Sequence, residues 1–171
     1  QMQENGYSTI CFRQGTISGY SPRMRLDLIV NTMFKTALEN NEIIINNPSI
    51  WRPILSIEDA SDAYIRAIEA SNEISGIFNI ASGNYTVGEV GDLVKHALDK
   101  KMGVNVKLTI KNVQDFRNYK VSVDEAVKVL SFKPKHDVEL ILDNLIENLD
   151  DFRDFENPNY YNIQVFKSLD L

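Results

Sequence analysis

Residues 7–40 read YSTICFRQGTISGYSPRMRLDLIVNTMFKTALEN, and this stretch carries the pattern that decides the fold. The run 7–13 is rich in β-branched and aromatic residues, which predicts a strand. Two glycines and a proline punctuate residues 14–25, and this chemistry predicts a loop. Apolar residues then recur at helical spacing, which predicts an amphipathic helix over 27–40. A strand, a long loop and a helix in this order are typical of an α/β fold.

The remainder of the chain continues the alternation of strands and helices. Further strands are predicted at 42–46, 51–55, 76–81 and 104–110, and further helices at 57–71, 87–101, 123–130 and 137–149. At three helix starts a carboxylate follows a hydroxyl by three residues, which predicts capping boxes; the pairs are Ser56 with Asp59, Thr86 with Glu89, and Ser122 with Glu125. The tail after residue 150 is acidic and then aromatic, and we expect it to pack on the body of the protein.

Composition excludes several classes of protein. The chain has 171 residues, of which 43% are hydrophobic, enough for one core. It carries 18 basic and 24 acidic residues, a formal charge of -6, so nucleic acid is not an expected partner. No apolar run approaches the roughly 20 residues that a membrane span needs, and the first residues do not read as a signal peptide. A single cysteine fits a reducing setting, and we expect a cytoplasmic protein without membrane contact.

Most familiar catalytic patterns are absent from the sequence. It contains no G-x-G-x-x-G, P-loop, H-E-x-x-H or G-x-S-x-G, and no tyrosine is followed four residues later by lysine. His96 and His136 are expected on the surface or in packing contacts, and Cys11 is expected as a small buried side chain in its strand. The motifs therefore predict no catalytic residue and no metal site in this chain.

Arginines in non-helical segments are the most informative polar residues. They are Arg23, Arg25, Arg52 and Arg117. Guanidinium groups suit bidentate contacts with phosphate, and several of them in one pocket could hold a pyrophosphate. Alternatively, each arginine could pair with a neighbouring carboxylate such as Asp27, Asp59 or Asp115. Spacing in the sequence leaves both alternatives open.

Five segments in order resemble one known family. They are residues 13–31, WRPILSIED at 51–59, GIFNIA at 76–81, DFRNYKVS at 115–122 and LSFKP at 130–134. Together they resemble the extended short-chain dehydrogenases/reductases that act as NAD-dependent nucleotide-sugar epimerases and dehydratases. The resemblance covers nearly the whole chain, but only the C-terminal half of such an enzyme.

The resemblance implies a fold and a domain organisation. Residues 1–171 are expected to form a single partial domain, with late strands of a Rossmann-like sheet and a small α/β substrate-binding lobe. The N-terminal dinucleotide half, with its glycine-rich motif and Tyr-x-x-x-Lys pair, is expected to be absent. A preceding Rossmann segment is therefore an expected partner, and a homodimer is possible.

The resemblance also implies roles for particular residues. Gln14 and Gly15 are expected near the cofactor. The expected substrate-binding residues are Thr16, Arg23, Arg25, Asn31, Arg52 and Arg117, the last two as a clamp on the pyrophosphate of a nucleotide sugar. Thr16 stands where many members have asparagine, and Ser56 replaces a histidine that is common in the family.

The function that follows is the nucleotide-sugar-binding portion of an NAD(P)-dependent epimerase or dehydratase. NAD or NADP would act in the complete enzyme, and we expect neither to bind tightly to this chain alone, because the glycine-rich helix start is missing. The isolated chain is expected to be inactive. The alternative is a non-catalytic nucleotide-binding or protein-interaction module derived from the same family.

Overall fold

A computed structural model describes residues 8–113 and 117–169. Strands and helices alternate along these residues. The strands are β1 (Ile10–Gln14), β2 (Thr16–Ser18), β3 (Glu42–Asn46), β4 (Trp51–Ser56), β5 (Gly76–Ile80), β6 (Gly83–Thr86) and β7 (Lys107–Lys111). The α-helices are α1 (Ile29–Asn40), α2 (Ile57–Glu69), α3 (Val87–Met102), α4 (Asp124–Leu130), α5 (Val138–Glu147) and α6 (Asn162–Ser168). Short 3-10 turns at Leu149–Phe152 and Pro158–Tyr160 lie between α5 and α6.

The strands form three small sheets. β1 pairs in parallel with β5, and β3 pairs in parallel with β7. β4 lies between β2, to which it is parallel, and β6, to which it is antiparallel. Parallel pairs need long crossover connections, and the helices supply them. The predicted α/β class is confirmed.

Two clusters of apolar side chains form the core. The larger cluster lies among α1, β3, α3 and α5. Val30, Met33, Phe34 and Ala37 of α1 enter it because they recur at the three- and four-residue spacing that places side chains on one face of a helix. The smaller cluster joins β1 and β5 to α2 and α4. No helix within the described residues is long and apolar enough to cross a membrane.

The three predicted capping boxes have three different outcomes. Thr86 and Glu89 form the complete box, with the Thr86 hydroxyl accepting from the Glu89 amide and the carboxylate accepting from the Thr86 amide. Ser56 caps α2 by accepting from the Asp59 amide at 2.8 Å, but the Asp59 carboxylate is used elsewhere. The third prediction is wrong: Val123 stands at the N-cap of α4 without a side-chain bond.

Two short strands differ from the sequence-based expectation. β2 lies within residues 14–25, where the sequence predicts a loop. The flanking glycines indicate a turn, although three of these residues pair with a neighbouring strand. β6 lies between a predicted strand and a predicted helix and pairs with β4. Both owe their strand conformation to β4, a tertiary contact that local sequence does not encode.

Cys11 corrects another expectation, because it is exposed rather than buried. It lies directly opposite Ile77 in the β1–β5 pair, and Ile77 is also exposed. The other face of this sheet packs on the smaller core cluster through Phe12 and Phe78. Parallel sheets in α/β proteins are covered on both faces, so the described residues supply cover for only one face of this pair.

Gly15 permits a close approach between the β1–β2 junction and β4. Its amide donates to the Ile80 carbonyl at 2.8 Å, and a Cβ atom would lie 2.9 Å from the Pro53 carbonyl oxygen. Backbone atoms cannot yield as a flexible side chain can, so Gly15→Ala is expected to lower the free energy of unfolding by about 1–3 kcal/mol. Chemical denaturation measures this change.

The matched control for Gly15→Ala is Gly103→Asn. Gly103 ends α3 in a left-handed conformation, and a Cβ atom there would meet nothing within 4 Å. Asparagine tolerates this conformation at a helix C-terminus, so the control is expected to change stability little. Equal stability of wild type and Gly15→Ala would show that a methyl group fits between Gly15 and the Pro53 carbonyl.

Candidate functional site

Arg52 and Arg117 meet at the start of β4. Arg52 Nη1 donates to the Trp51 carbonyl at 2.9 Å and also to the main-chain carbonyl of Arg117. The Trp51 amide in turn donates to Asn118 Oδ1 at 3.0 Å. Two residues of β4 are thereby bonded to two consecutive residues that lie 65–67 positions later in the chain. The Arg52 guanidinium therefore contacts the main chain of Arg117, while the approach of the two guanidinium groups and their role as a clamp stay predictions.

Asparagine side chains hold the chain on both sides of Arg117. Asn84 Nδ2 donates to the Val121 carbonyl at 2.9 Å, and Asn84 Oδ1 accepts from the Val121 amide at 2.9 Å. Asn47 makes the same pair of bonds with Val113, at 2.7 and 2.9 Å. Each amide imitates the donor and acceptor of a neighbouring strand and fixes the backbone it contacts. Phe116, which flanks Arg117 in sequence, lies outside the described residues.

A third cation adjoins the two arginines. Lys120 Nζ lies 3.3 Å from the centroid of the Trp51 ring, a cation–π contact. Lys120, Arg52 and Arg117 therefore gather near one end of β4 in a protein whose formal charge is -6. An anionic ligand at this place stays a prediction.

A cavity of about 560 Å³ lies between α1 and the β3–β7 pair. It is lined by Thr32, Met33, Thr36, Asn40, Glu42, Ile44, Asn46, Lys111 and Val113. This volume lies within the range of about 300–1,000 Å³ that is usual for small-molecule sites. Val113 lines this cavity, and its main chain also bonds to Asn47. Arg117 follows Val113 by four residues in the sequence. Sequence reasoning missed this cavity, because its walls come from three separate elements.

Gln14, Gly15 and Thr16 lie close to the same end of β4. Thr16 is the register partner of Ile54, and Gly15 packs against the Pro53 carbonyl. Gln14 Nε2 donates to the Tyr64 hydroxyl at 2.5 Å. Thr16 therefore lies two register positions from Arg52, whereas Gln14 pairs with Ile80 of β5; the predicted contacts of the three residues with cofactor and substrate stay predictions.

The structure places Arg23, Arg25 and Asn31 elsewhere. They line a smaller cavity of about 220 Å³ together with Ser18. Ser18 is the register partner of Ser56, four residues after Arg52 on β4, which corresponds to about 13 Å at roughly 3.3 Å per residue. The four loop arginines thus form two groups rather than one.

Contacts within the chain occupy the residues of this second group. Arg25 pairs with Asp27 through two bonds of 2.8 and 3.1 Å, so the carboxylate alternative holds for this arginine. Burial alone would raise the pKa of Asp27, but the bond from Arg25 holds that pKa below its ordinary value. Asn31 is 2% exposed and bonds to both main-chain groups of Gly19 and to the Arg25 carbonyl. It braces the loop, and a direct contact with substrate stays a prediction.

Asp59 is a buried polar centre, although sequence analysis considered it only as part of a helix start and as a possible partner of a loop arginine. It is 1% exposed and accepts from Ser82 Oγ at 2.6 Å and from the Lys135 and His136 amides. His136 Nδ1 lies 2.8 Å from Asp59 Oδ1. Burial alone would raise the pKa of Asp59, but the bonds from Ser82 and His136 bring it below its ordinary value. The expected packing role of His136 is consistent with this contact.

Among the described residues, no group of three histidine, cysteine, aspartate or glutamate side chains is placed to hold a metal ion.

Comparison with known proteins identifies the fold. No protein-family model matches the sequence. The structure matches ADP-L-glycero-D-manno-heptose-6-epimerase from Helicobacter pylori with a TM-score of 0.69 at 18% identity, over 84% of this chain and 45% of that one. A second match is the structure of UDP-glucose 4-epimerase from Thermotoga maritima, which was determined with UDP-glucose. Its TM-score is 0.68 at 19% identity, over 86% of this chain and 48% of that one.

A dehydratase gives a similar match. The dTDP-glucose 4,6-dehydratase from Bacillus anthracis in complex with NAD has a TM-score of 0.65 and 17% identity, over 91% of this chain and 47% of that one. The chain therefore spans slightly less than half of the structures that it matches. Its α/β fold is similar to that of part of these epimerase and dehydratase structures.

Proposed function

We propose that this chain supplies the nucleotide-sugar-binding portion of an NAD(P)-dependent epimerase or dehydratase. The observation that carries the proposal is the contact of Arg52 with the main chain of Arg117, in a chain that also has a cavity of about 560 Å³ between α1 and the β3–β7 pair. A nucleotide sugar presents a diphosphate, which suits arginine side chains, and a nucleoside, which suits a mixed apolar and polar pocket of this size. The similarity of fold to enzymes that act on such substrates supports the same conclusion.

In this proposal each part of the substrate has its own place. The diphosphate lies at the start of β4, where guanidinium groups can donate to its oxygens. The nucleoside enters the cavity between α1 and β3, where Thr32, Thr36 and Asn46 offer polar contacts beside the apolar side chains. The sugar then extends toward Gln14 and Thr16. Binding energy from the diphosphate and the nucleoside would position the sugar for reaction.

A preceding Rossmann segment would supply the acid/base and most of the dinucleotide site. The face of the β1–β5 pair that carries exposed Cys11 and Ile77 is suited to packing against such a segment. Gln14 and Gly15, at the end of β1, are the residues of this chain that would adjoin NAD or NADP. The bound dinucleotide accepts and returns hydride in enzymes of this kind. The chain's own residues would hold and orient the sugar.

Binding of nucleotide fragments tests the proposal. We expect calorimetry on the chain to show affinity for nucleoside diphosphates, drawn from UDP, dTDP, GDP and ADP, and weaker affinity for the monophosphate and nucleoside of the preferred base. One charge-assisted contact contributes about 1.5–3 kcal/mol, so loss of the second phosphate should weaken binding about tenfold or more. Equal affinity for nucleoside and diphosphate would contradict the proposal, as would turnover of a nucleotide sugar by the chain with NAD.

A further inference from the structure

The loop between β2 and α1, residues 19–28, is bonded to two different parts of the chain. On the side of α1, the Asn31 side chain bonds to both main-chain groups of Gly19 and to the Arg25 carbonyl. The Thr32 hydroxyl donates to a further carbonyl of the loop at 2.7 Å. All the loop atoms in these bonds belong to the main chain, so α1 fixes the path of the loop and not its polar side chains.

The polar side chains of the loop are bonded instead to the C-terminal segment, residues 149–162. The Tyr20 hydroxyl donates to Asp151 Oδ2 at 3.0 Å. Arg23 Nη2 donates to Asn162 Oδ1 at 2.8 Å, across 139 positions of sequence. The C-terminal segment therefore contacts side chains near both the start and the middle of the loop.

Buried aromatic residues anchor the C-terminal segment to the body of the protein. Phe152 is 1% exposed, and its ring centroid lies 6.0 Å from that of Tyr20 and 6.3 Å from that of Phe34. Tyr160 is 8% exposed, and its carbonyl accepts from the Leu26 amide at 3.0 Å. A segment anchored in the larger core cluster is a fixed point for the side chains that bond to it.

Asn162 contacts both charged groups of the loop. Its side-chain oxygen accepts from Arg23, and its main chain lies against the Asp27 carboxylate, which Arg25 binds through bonds of 2.8 and 3.1 Å. Burial raises the pKa of Asp27, whereas the bond from Arg25 and, to a smaller extent, the main chain of Asn162 lower it. One continuous set of contacts therefore links the two arginines through Asn162 and Asp27.

We propose that Asn162 is a positioning residue, through which the C-terminal segment sets the directions of the Arg23 and Arg25 guanidinium groups. A guanidinium group carries its donors in a rigid planar fork, so the partner of one donor also fixes where the others point. A change in the C-terminal segment would then alter the charged side chains that the loop presents, while the main chain of the loop keeps its path through Asn31. This inference does not depend on the function proposed for Arg52 and Arg117.

NMR relaxation of the arginine Nε–H groups in the chain without ligand tests the proposal. We expect the order parameter of Arg23 to lie above about 0.6 in wild type and below that value in Asn162→Ala, because flexible groups fall in the lower range. Arg25 should lose less order, because its two bonds to Asp27 remain. The main-chain order parameter of Gly19 should not change, because its bonds to Asn31 are intact.

Two further variants separate positioning from a general loss of structure. Asn162→Asp keeps an oxygen acceptor for Arg23, so it should restore the order of that side chain. Asn159→Ala is the matched control, because Asn159 is an exposed asparagine of the same segment and only its main-chain amide makes a bond among the described residues. We expect Asn159→Ala to leave both arginines unchanged.

Three results would overturn the proposal: unchanged order of Arg23 in Asn162→Ala, an equal loss of order in Asn159→Ala, or an equal loss in the main chain of Gly19. The last result would show that the segment maintains the whole loop and does not position its side chains. Asn162→Leu keeps the size of the side chain and lacks the acceptor, so it gives the same test should Asn162→Ala fail to fold. No ligand is added, so these results are independent of nucleotide binding.

Discussion

Replacement of Asp59 by alanine is expected to lower the free energy of unfolding by about 3–5 kcal/mol, because three donors lose their acceptor and each unsatisfied buried donor costs about 1–3 kcal/mol. The carboxylate is 1% exposed and joins three parts of the chain: the start of α2, Ser82 after β5, and the residues before α5. Its loss leaves the Lys135 and His136 amides and the Ser82 hydroxyl without their acceptor. The His136 ring also loses its hydrogen-bond partner.

Urea unfolding measures this effect, and Asp62→Ala is the matched control. Asp62 lies one turn later on the same helix and pairs with Arg66 at 2.5 Å on the surface. Exposed pairs at this spacing contribute about 0.3–0.5 kcal/mol, so the control should lose no more than that. Similar losses in the two variants would show that Asp59 is not the centre of a buried network.

Acid should unfold the wild-type protein partly through the same carboxylate. The pKa of Asp59 is lower in the folded protein than its ordinary value, so the ionised form is the one that the fold stabilises. This stability is complete above the unfolded pKa of about 3.9 and is lost as pH falls through the lower folded pKa. Stability measured against pH should therefore fall more steeply below about pH 4 in wild type than in Asp59→Asn.

Replacement of Arg52 by alanine is expected to weaken binding of the preferred nucleoside diphosphate about ten- to a hundredfold. The expectation follows from a charge-assisted bond of about 1.5–3 kcal/mol to a diphosphate oxygen. Arg52 also bonds to the Arg117 carbonyl, so its removal takes away one of the bonds that hold the segment carrying Arg117. The double variant Arg52→Ala, Arg117→Ala should therefore lose less than the sum of the single losses, because residues in contact are not independent.

Calorimetry on the four proteins measures this coupling, with Arg153→Ala as a control for the loss of one surface charge. Arg52→Lys adds a geometric test, since lysine keeps the charge but lacks the planar fork of donors. We expect Arg52→Lys to recover only part of the affinity. Unchanged affinity in Arg52→Ala would show that the diphosphate does not bind at the start of β4.

The elements that could be predicted from sequence are those with a strong local pattern. The helix α1 follows from apolar residues at helical spacing, and β3 from a run of isoleucines between polar turns. β2 and β6 could not be predicted, because each is a short segment that becomes a strand only by pairing with β4. The burial of Cys11 is predicted wrongly because strand composition does not reveal which of two faces is covered.

Sequence analysis predicts an anion-binding chemistry for the loop arginines, but it could not predict how they are grouped in the fold. Arginine in loops indicates anion binding, and the resemblance of the flanking motifs to a family singles out Arg52 and Arg117. The separation of Arg23 and Arg25 from that pair depends on the register of β2 with β4, which local sequence does not contain. The contact of Asp59 with His136 joins residues 77 positions apart and has no signal in spacing.

Mapping of nucleotide contacts on the chain tests the central claim most directly. The NMR spectrum is recorded while UDP-glucose or dTDP-glucose is added to millimolar concentration. We expect saturable shifts at Ile44, Asn46 and Val113 around the larger cavity, and at Arg52 and Arg117 at the start of β4. Shifts confined to other surfaces, or a spectrum unchanged by either nucleotide sugar, would contradict the assignment of this chain as a nucleotide-sugar-binding half.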